Sequence, residues 1–205
     1  MLTNQKITDF LQKTAAGTAV PGGGSVSALS AALGAGLTEM VANLTIAKKG
    51  YAAVENEMKE IAETGQNLRE KLVSEVDKDS NAYKDVLAAF KLPKNTDEEK
   101  AQRIEAIQDA MKNAARVPLA VANDALQIME LAEKVIRNGN RNAVSDGAVG
   151  VMMARTAVLG ALFNVKINLA SIKDEVFVED MMQQVNKLES RVHEREKEIL
   201  SHVNV

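Results

Sequence analysis

Asp79 is the residue most out of place in this sequence. It occupies an apolar slot of a helical stripe, with Val76 three residues before it and Tyr83 four after. A carboxylate among apolar side chains is desolvated, which raises its pKa unless a cation or hydrogen-bond donors hold it ionised. Proteins prepare a general acid near neutral pH in this way. The architectural alternative is a helix that breaks near Ser80 and leaves Asp79 as a solvated cap. A second feature is the run Pro21-Gly22-Gly23-Gly24-Ser25 ahead of a helix. Glycines there let backbone N–H groups crowd a ligand, while the helix N-terminus favours an anion. No Gly-Lys-Ser/Thr of a Walker A loop follows, and no strand precedes it as in a dinucleotide loop. A flexible connector is the alternative.

A third set lies on an apolar helix near the C-terminus. Asp146 and Asn164 are eighteen residues apart, five whole turns, and share an azimuth; Asn168 follows one turn later. Asp146 and Asn164 would be roughly 27 Å apart along the axis, too far to touch one reacting atom. An extended ligand or a second subunit could use both, whereas asparagines that only tie helices together would also satisfy the pattern. Lys48 and Lys49 close an earlier helix, where cations meet the dipole favourably. His193 and His202 are nine residues apart and fall on different helix faces, so no metal site is expected.

These residues have to be positioned by helices, because helical periodicity runs through the chain. Thr3 is expected to cap a short helix carrying Ile7, Phe10 and Leu11 and ending at Gly17. Ser25 reads as the N-cap of the next, whose stripe Val26, Leu29, Leu33, Leu37, Met40 and Leu44 repeats at three and four. Ala28, Ala31, Ala32, Gly34, Ala35 and Gly36 let other backbones approach, which predicts a central helix surrounded on several sides. The stripe from Val54 through Asp79, Tyr83 and Val86 to Phe90 ends at Leu92-Pro93. Thr96 with Glu99 then forms a capping box. The helix it opens meets Pro118, where a kink or break is expected. Asn138 to Asn142 reads as a loop of residues tolerant of left-handed backbone. Helices over about 143–171 and 175–202 complete an all-α, single-domain bundle of five to seven helices spanning 1–205. No strand, hairpin turn or internal repeat is apparent.

Composition narrows the function classes. The 205 residues suffice for one sizeable core, and 46% are hydrophobic. Cysteine is absent, which excludes a thiol nucleophile and thiolate-bound metals and fits a reducing compartment. A net charge of −3 and 3% aromatic residues argue against a nucleic-acid partner. The apolar stretches Val26–Ala47 and Ala148–Leu169 carry Glu39, and Arg155 and Lys166, so both are expected as buried helices and not as membrane spans. No signal-peptide pattern opens the chain, and a cytoplasmic location is expected.

Five fragments together bring a family into view. Ala19 to Leu29 around the glycine run resembles the opening motif of the formiminotransferase-cyclodeaminase family, in its cyclodeaminase part and in stand-alone methenyltetrahydrofolate cyclohydrolases. Met40 to Thr45 with Lys48-Lys49-Gly50-Tyr51, Asp79 to Tyr83 with Leu92-Pro93-Lys94, Gly139 to Asp146, and Asn164 to Leu169 are similar to later family motifs, in order. The resemblance implies an all-helical homodimer acting on tetrahydrofolate that carries a one-carbon unit. Cyclodeamination of 5-formiminotetrahydrofolate and hydrolysis of the methenyl bridge are the two reactions it implies. It implies no cofactor beyond the tetrahydrofolate substrate, no metal, and neither a membrane nor a nucleic-acid partner. On this reading Asp79 is the first acid/base candidate, Asp146 the second, and Lys48 a proton partner or carboxylate anchor. Pro21, Gly22, Gly23, Gly24 and Ser25 would receive part of the folate. Asn43, Asn140, Asn142, Ser145, Asn164 and Asn168 would supply further polar contacts to it. A non-catalytic helical scaffold is the rival; it gives no reason for Asp79 inside an apolar stripe.

Overall fold

Six α-helices and three short 3-10 turns make up the computed structural model, which describes residues 1–203. The helices are α1 (Ile7–Ala15), α2 (Gly23–Asn43), α3 (Glu55–Phe90), α4 (Asp97–Asn138), α5 (Val144–Leu169) and α6 (Glu175–Leu200). The expected all-α class holds. At the N-terminus, however, Thr3 caps nothing. Its hydroxyl donates to Asp77 Oδ2 at 2.7 Å, and Lys6 precedes α1.

α2 corrects the sequence reading twice. It begins at Gly23 with Gly22 as its cap, so Ser25 lies inside the first turn, buried, and is not the N-cap. The stripe of large apolar residues is not the buried one. Val26, Leu33, Met40 and Leu44 are exposed, and the core side is lined by Ala28, Ala31, Ala35 and Val41. Small residues won the interior because α2 and α5 press together backbone to backbone. A Cβ at Gly34 would come within 2.9 Å of the Gly150 carbonyl. The two run antiparallel, Ser27 facing Gly160 and Ser30 Oγ donating to the Met153 carbonyl at 2.9 Å. By length and composition both α2 and the segment Arg141–Leu169 could cross a membrane, yet 61% and 50% of their most apolar windows are buried in the bundle.

α3 runs unbroken past Ser80 to Phe90, which disposes of the broken-helix alternative for Asp79. Its apolar stripe leaves the core after Val76: Tyr83 and Phe90 are exposed. The capping box at Thr96 forms as expected. Pro118 neither breaks nor ends α4, which continues to Asn138. Proline cannot donate to the carbonyl four residues back, that of Ala114. Asn168 Nδ2 from α5 donates to it instead, at 2.7 Å. No residue from Asn138 to Asn142 has positive φ. The turn there is a 3-10 turn, Arg141–Ala143, capped by Asn140.

Candidate active site

The first turn of α2 is laid across α3 at Asp79. A Cβ on Gly24 would overlap the Asp79 carboxylate, so only glycine admits that approach. None of Gly22, Gly23 and Gly24 needs positive φ, and close contact is their whole requirement. Ser25 Oγ lies 2.9 Å from Asp79 Oδ2 and 3.1 Å from the Val76 carbonyl, with Ser80 Oγ a further 3.1 Å neighbour. Burial raises the Asp79 carboxyl above its ordinary pKa, and hydrogen bonds from the Ser25 hydroxyl and amide only partly oppose it. No cation pairs with it among the described residues. Asp77, two residues earlier, goes the other way. Burial raises it too, but donors from Thr3 and Leu2 outweigh that and hold it below the usual range. Asp77 is used within the chain. Asp79 holds its proton more tightly and faces a cavity.

That cavity has a volume of about 250 Å³ and is walled by the glycine run, Asp79, Tyr83, Met111, Asn164 and Asn168. Asn164 Nδ2 donates to the Gly160 carbonyl at 2.8 Å, which leaves Oδ1 as an unengaged acceptor beside Gly23. Asn168 gives its amide nitrogen to Ala114. Pro21 is buried just before the glycines. The arrangement offers one proton carrier, one amide acceptor and a wall of backbone. It suits a ligand that presents N–H groups and undergoes proton transfer.

The remaining expected site residues gather at the other end of the α2–α5 pair. Asn140 is buried there and fully engaged. Its amide N–H donates to Thr45 Oγ1 at 2.9 Å, its Nδ2 to the Leu44 carbonyl at 3.2 Å, and its Oδ1 accepts from Asn142 N at 3.1 Å. Asn43, Lys48, Asn142 and Ser145 are exposed and Asp146 is half-buried. Within one chain they do not meet Asp79. The sequence reading missed Tyr83 as part of the cavity wall and Ser80 as a neighbour of the Ser25 hydroxyl. It took Tyr83 for core, although a phenol within an apolar stripe carries a polar tip that has to find water or a partner.

The chain also has known relatives. Residues 6–187 match the model of the formiminotransferase-cyclodeaminase family. A methenyltetrahydrofolate cyclohydrolase from Methylorubrum extorquens is 40% identical over 188 residues, covering 92% of this chain and 90% of that protein. A formimidoyltransferase-cyclodeaminase from Rattus norvegicus is 35% identical over 187 residues, and the match takes in 35% of its length. The crystal structure of a formiminotetrahydrofolate cyclodeaminase from Thermotoga maritima superposes with a TM-score of 0.88 at 30% identity, covering 99% of this chain and 98% of that one. The chain belongs to the formiminotransferase-cyclodeaminase family.

Proposed function

We propose that this family member closes 5-formiminotetrahydrofolate to 5,10-methenyltetrahydrofolate with release of ammonia, and that Asp79 carries the proton. The observation behind the reading is Asp79 itself: a partly buried carboxylate with raised proton affinity and no cation, facing a cavity. In the forward step N10 attacks the formimino carbon, giving a tetrahedral carbon bonded to N5, N10 and the amino nitrogen. N10 must lose a proton and the amino group must gain one before it leaves as ammonia. A single carboxyl that accepts the first and returns the second serves both transfers. Raised affinity suits this carrier, because a strongly acidic carboxyl would take up the first proton poorly and hold none to return. On this reading the glycine run walls one side of the site and Asn164 Oδ1 accepts from a pterin N–H, which its lack of a donor in the chain supports. The transfers call for no cofactor besides the folate.

The second reading is hydrolytic opening of the methenyl bridge to 10-formyltetrahydrofolate, favoured by the 40% identity to a cyclohydrolase over most of both chains. It uses the same tetrahedral carbon with water in place of the amine. Absorbance of methenyltetrahydrofolate decides between them in two assays, one started from the formimino compound and one from the methenyl compound. Appearance in the first supports ring closure, and faster loss than in buffer in the second supports hydrolysis. Neither change would defeat both readings. A homodimer belongs to the same proposal, supported by the apolar residues that α2 and α5 leave exposed.

A further inference from the structure

Ser25 stands in the run expected to receive the folate, yet it does not reach the cavity. Its side chain is fully buried, and Gly22, Gly23 and Gly24 wall the cavity without it. Its hydroxyl instead meets three oxygens of α3: Asp79 Oδ2 at 2.9 Å, the Val76 carbonyl at 3.1 Å and Ser80 Oγ at 3.1 Å. A hydroxyl has one proton and two lone pairs, so it cannot donate to all three. Ser80 narrows the choice. It is buried, and Ser25 Oγ is its only hydrogen-bond partner among the described residues. The helical hydroxyls of Ser27, Thr38 and Thr64 each donate to the carbonyl four residues back. For Ser80 that carbonyl belongs to Val76, and Ser25 holds it instead. The Ser80 proton is left with Ser25 Oγ as its acceptor, and the Ser25 proton with Asp79 and the Val76 carbonyl. An ionised carboxylate is the stronger acceptor of the two, because a hydrogen bond to charge is roughly twice as strong as a neutral one. A protonated carboxyl loses that advantage, and a turn of the Ser25 O–H then reaches Val76 with no heavy atom moving.

We infer that Ser25 is a positioning residue for Asp79. Its hydroxyl donates to the carboxylate when Asp79 is ionised and to the Val76 carbonyl when Asp79 is protonated, and Ser80 sets that direction by donating to Ser25. The arrangement lets Asp79 change charge in place, as a group that takes up one proton and returns another requires. The Ser25 hydroxyl and amide are also the donors that oppose burial at this carboxyl. Other elements bring it no charge: α4 contributes Met111 and Ala114 to the cavity, and α5 contributes Asn164 and Asn168. Tyr83, one turn along α3, is the other titratable group in the cavity wall. Also on α3, Asp77 is engaged by Thr3, and Lys78 donates to Glu75.

The inference rests on the proposed proton transfer for its kinetic consequence and on the hydrogen bonds alone for its titration. Carbon NMR of protein labelled at aspartate Cγ follows the Asp79 carboxyl, whose resonance is identified by its loss in Asp79→Asn. Ser25→Ala should raise the proton affinity of Asp79 roughly tenfold, the scale of one hydrogen bond to a charged group. Ser80→Ala keeps the direct bond and loses only its polarising neighbour, so the midpoint should move the same way by less. A midpoint that moves down in Ser80→Ala would mean that Ser25 donates to Ser80. An unmoved midpoint in Ser25→Ala would mean that Ser25 donates to Val76 alone. Either result overturns the inference, and the sign for Ser80→Ala decides by itself if Ser25→Ala does not fold. In turnover, the acid limb of kcat should rise with the midpoint in Ser25→Ala, while KM changes less than about twofold. A raised KM with neither midpoint nor limb moved would return Ser25 to substrate binding and overturn the inference as well. Midpoints that move as expected beside an unmoved limb would uphold the hydrogen bonds and defeat Asp79 as the proton carrier instead.

Discussion

Asp79 and Asn140 stand at opposite ends of the α2–α5 pair, each beside a terminus of α2 and each withdrawn from solvent. Around Asn140 every buried polar group finds a partner in the same chain: Thr45 Oγ1 accepts its amide N–H and donates its own hydroxyl to the Val41 carbonyl. Around Asp79 the carboxylate has the Ser25 hydroxyl and amide and nothing else to offset its burial. One end is closed by its own hydrogen bonds and contributes rigidity. The other is left short of a partner, as the proposed proton carrier requires. The contrast separates residues of the same chemical type by what they touch, which their spacing could not do.

Four substitutions, with one control and one rescue, test these contacts, beginning with the largest effect. Asp79→Asn should lower turnover by roughly 10² to 10⁴, the usual loss when a general acid–base group is removed. It should also change stability in a pH-dependent way. A carboxyl whose folded pKa is raised costs stability once pH exceeds that pKa, and costs nothing below its unfolded value, near 3.8. Thermal melts should therefore show the variant more stable than wild type at neutral pH, with the gain vanishing on acidification. A gain independent of pH would break the assignment of a raised pKa.

Gly24→Ala comes next. The added methyl must displace the Asp79 carboxylate, so turnover should fall about 10²-fold, the scale seen when a catalytic group is shifted by an ångström. Gly23→Ala is the control, because its Cβ would meet only Asn164 Nδ2 at 3.3 Å. Equal kinetics for the two alanines would mean that contact with Asp79 is not what makes Gly24 glycine.

At the other end the expected loss is of stability. Thr45→Val leaves the buried Asn140 N–H without its acceptor and should cost about 1–3 kcal/mol in denaturant unfolding. Turnover of the folded fraction should change less than tenfold. Back on the cavity wall, Asn168→Ala should cost about 1 kcal/mol or somewhat more by stranding the Ala114 carbonyl, and Pro118→Ala in the same chain should restore most of it by returning the missing N–H. Additive losses in the double variant would show that Asn168 and Pro118 are not coupled.

Much of this arrangement was readable from residue order. Helix limits followed from the capping box at Thr96 and the break at Leu92-Pro93, and Asp79 announced itself by interrupting an apolar stripe. What misled was the assumption that the larger apolar residues of α2 face inward. Backbone contact with α5 at Gly34 and Gly150 reserves the interior for alanine and glycine, and turns leucine and methionine outward. Periodicity gives the stripe but not its direction when both faces are apolar. The separation of Asn140 from Asn164 into different roles was equally hidden. Both are asparagines near helix ends, and only their partners tell them apart.

The pairing of Pro118 with Asn168 also sets an order on how this sequence can change over generations. While asparagine stands at 168, the buried proline at 118 can be exchanged for a small residue such as alanine, which brings an N–H that the Ala114 carbonyl accepts. The reverse step is closed. Losing Asn168 first strands a carbonyl inside a helix contact, and the lineage must pass through that weakened form before any second change repairs it. The two positions, fifty residues apart in the chain, thus inherit as a pair with a direction, and drift at one is permitted only by the history of the other.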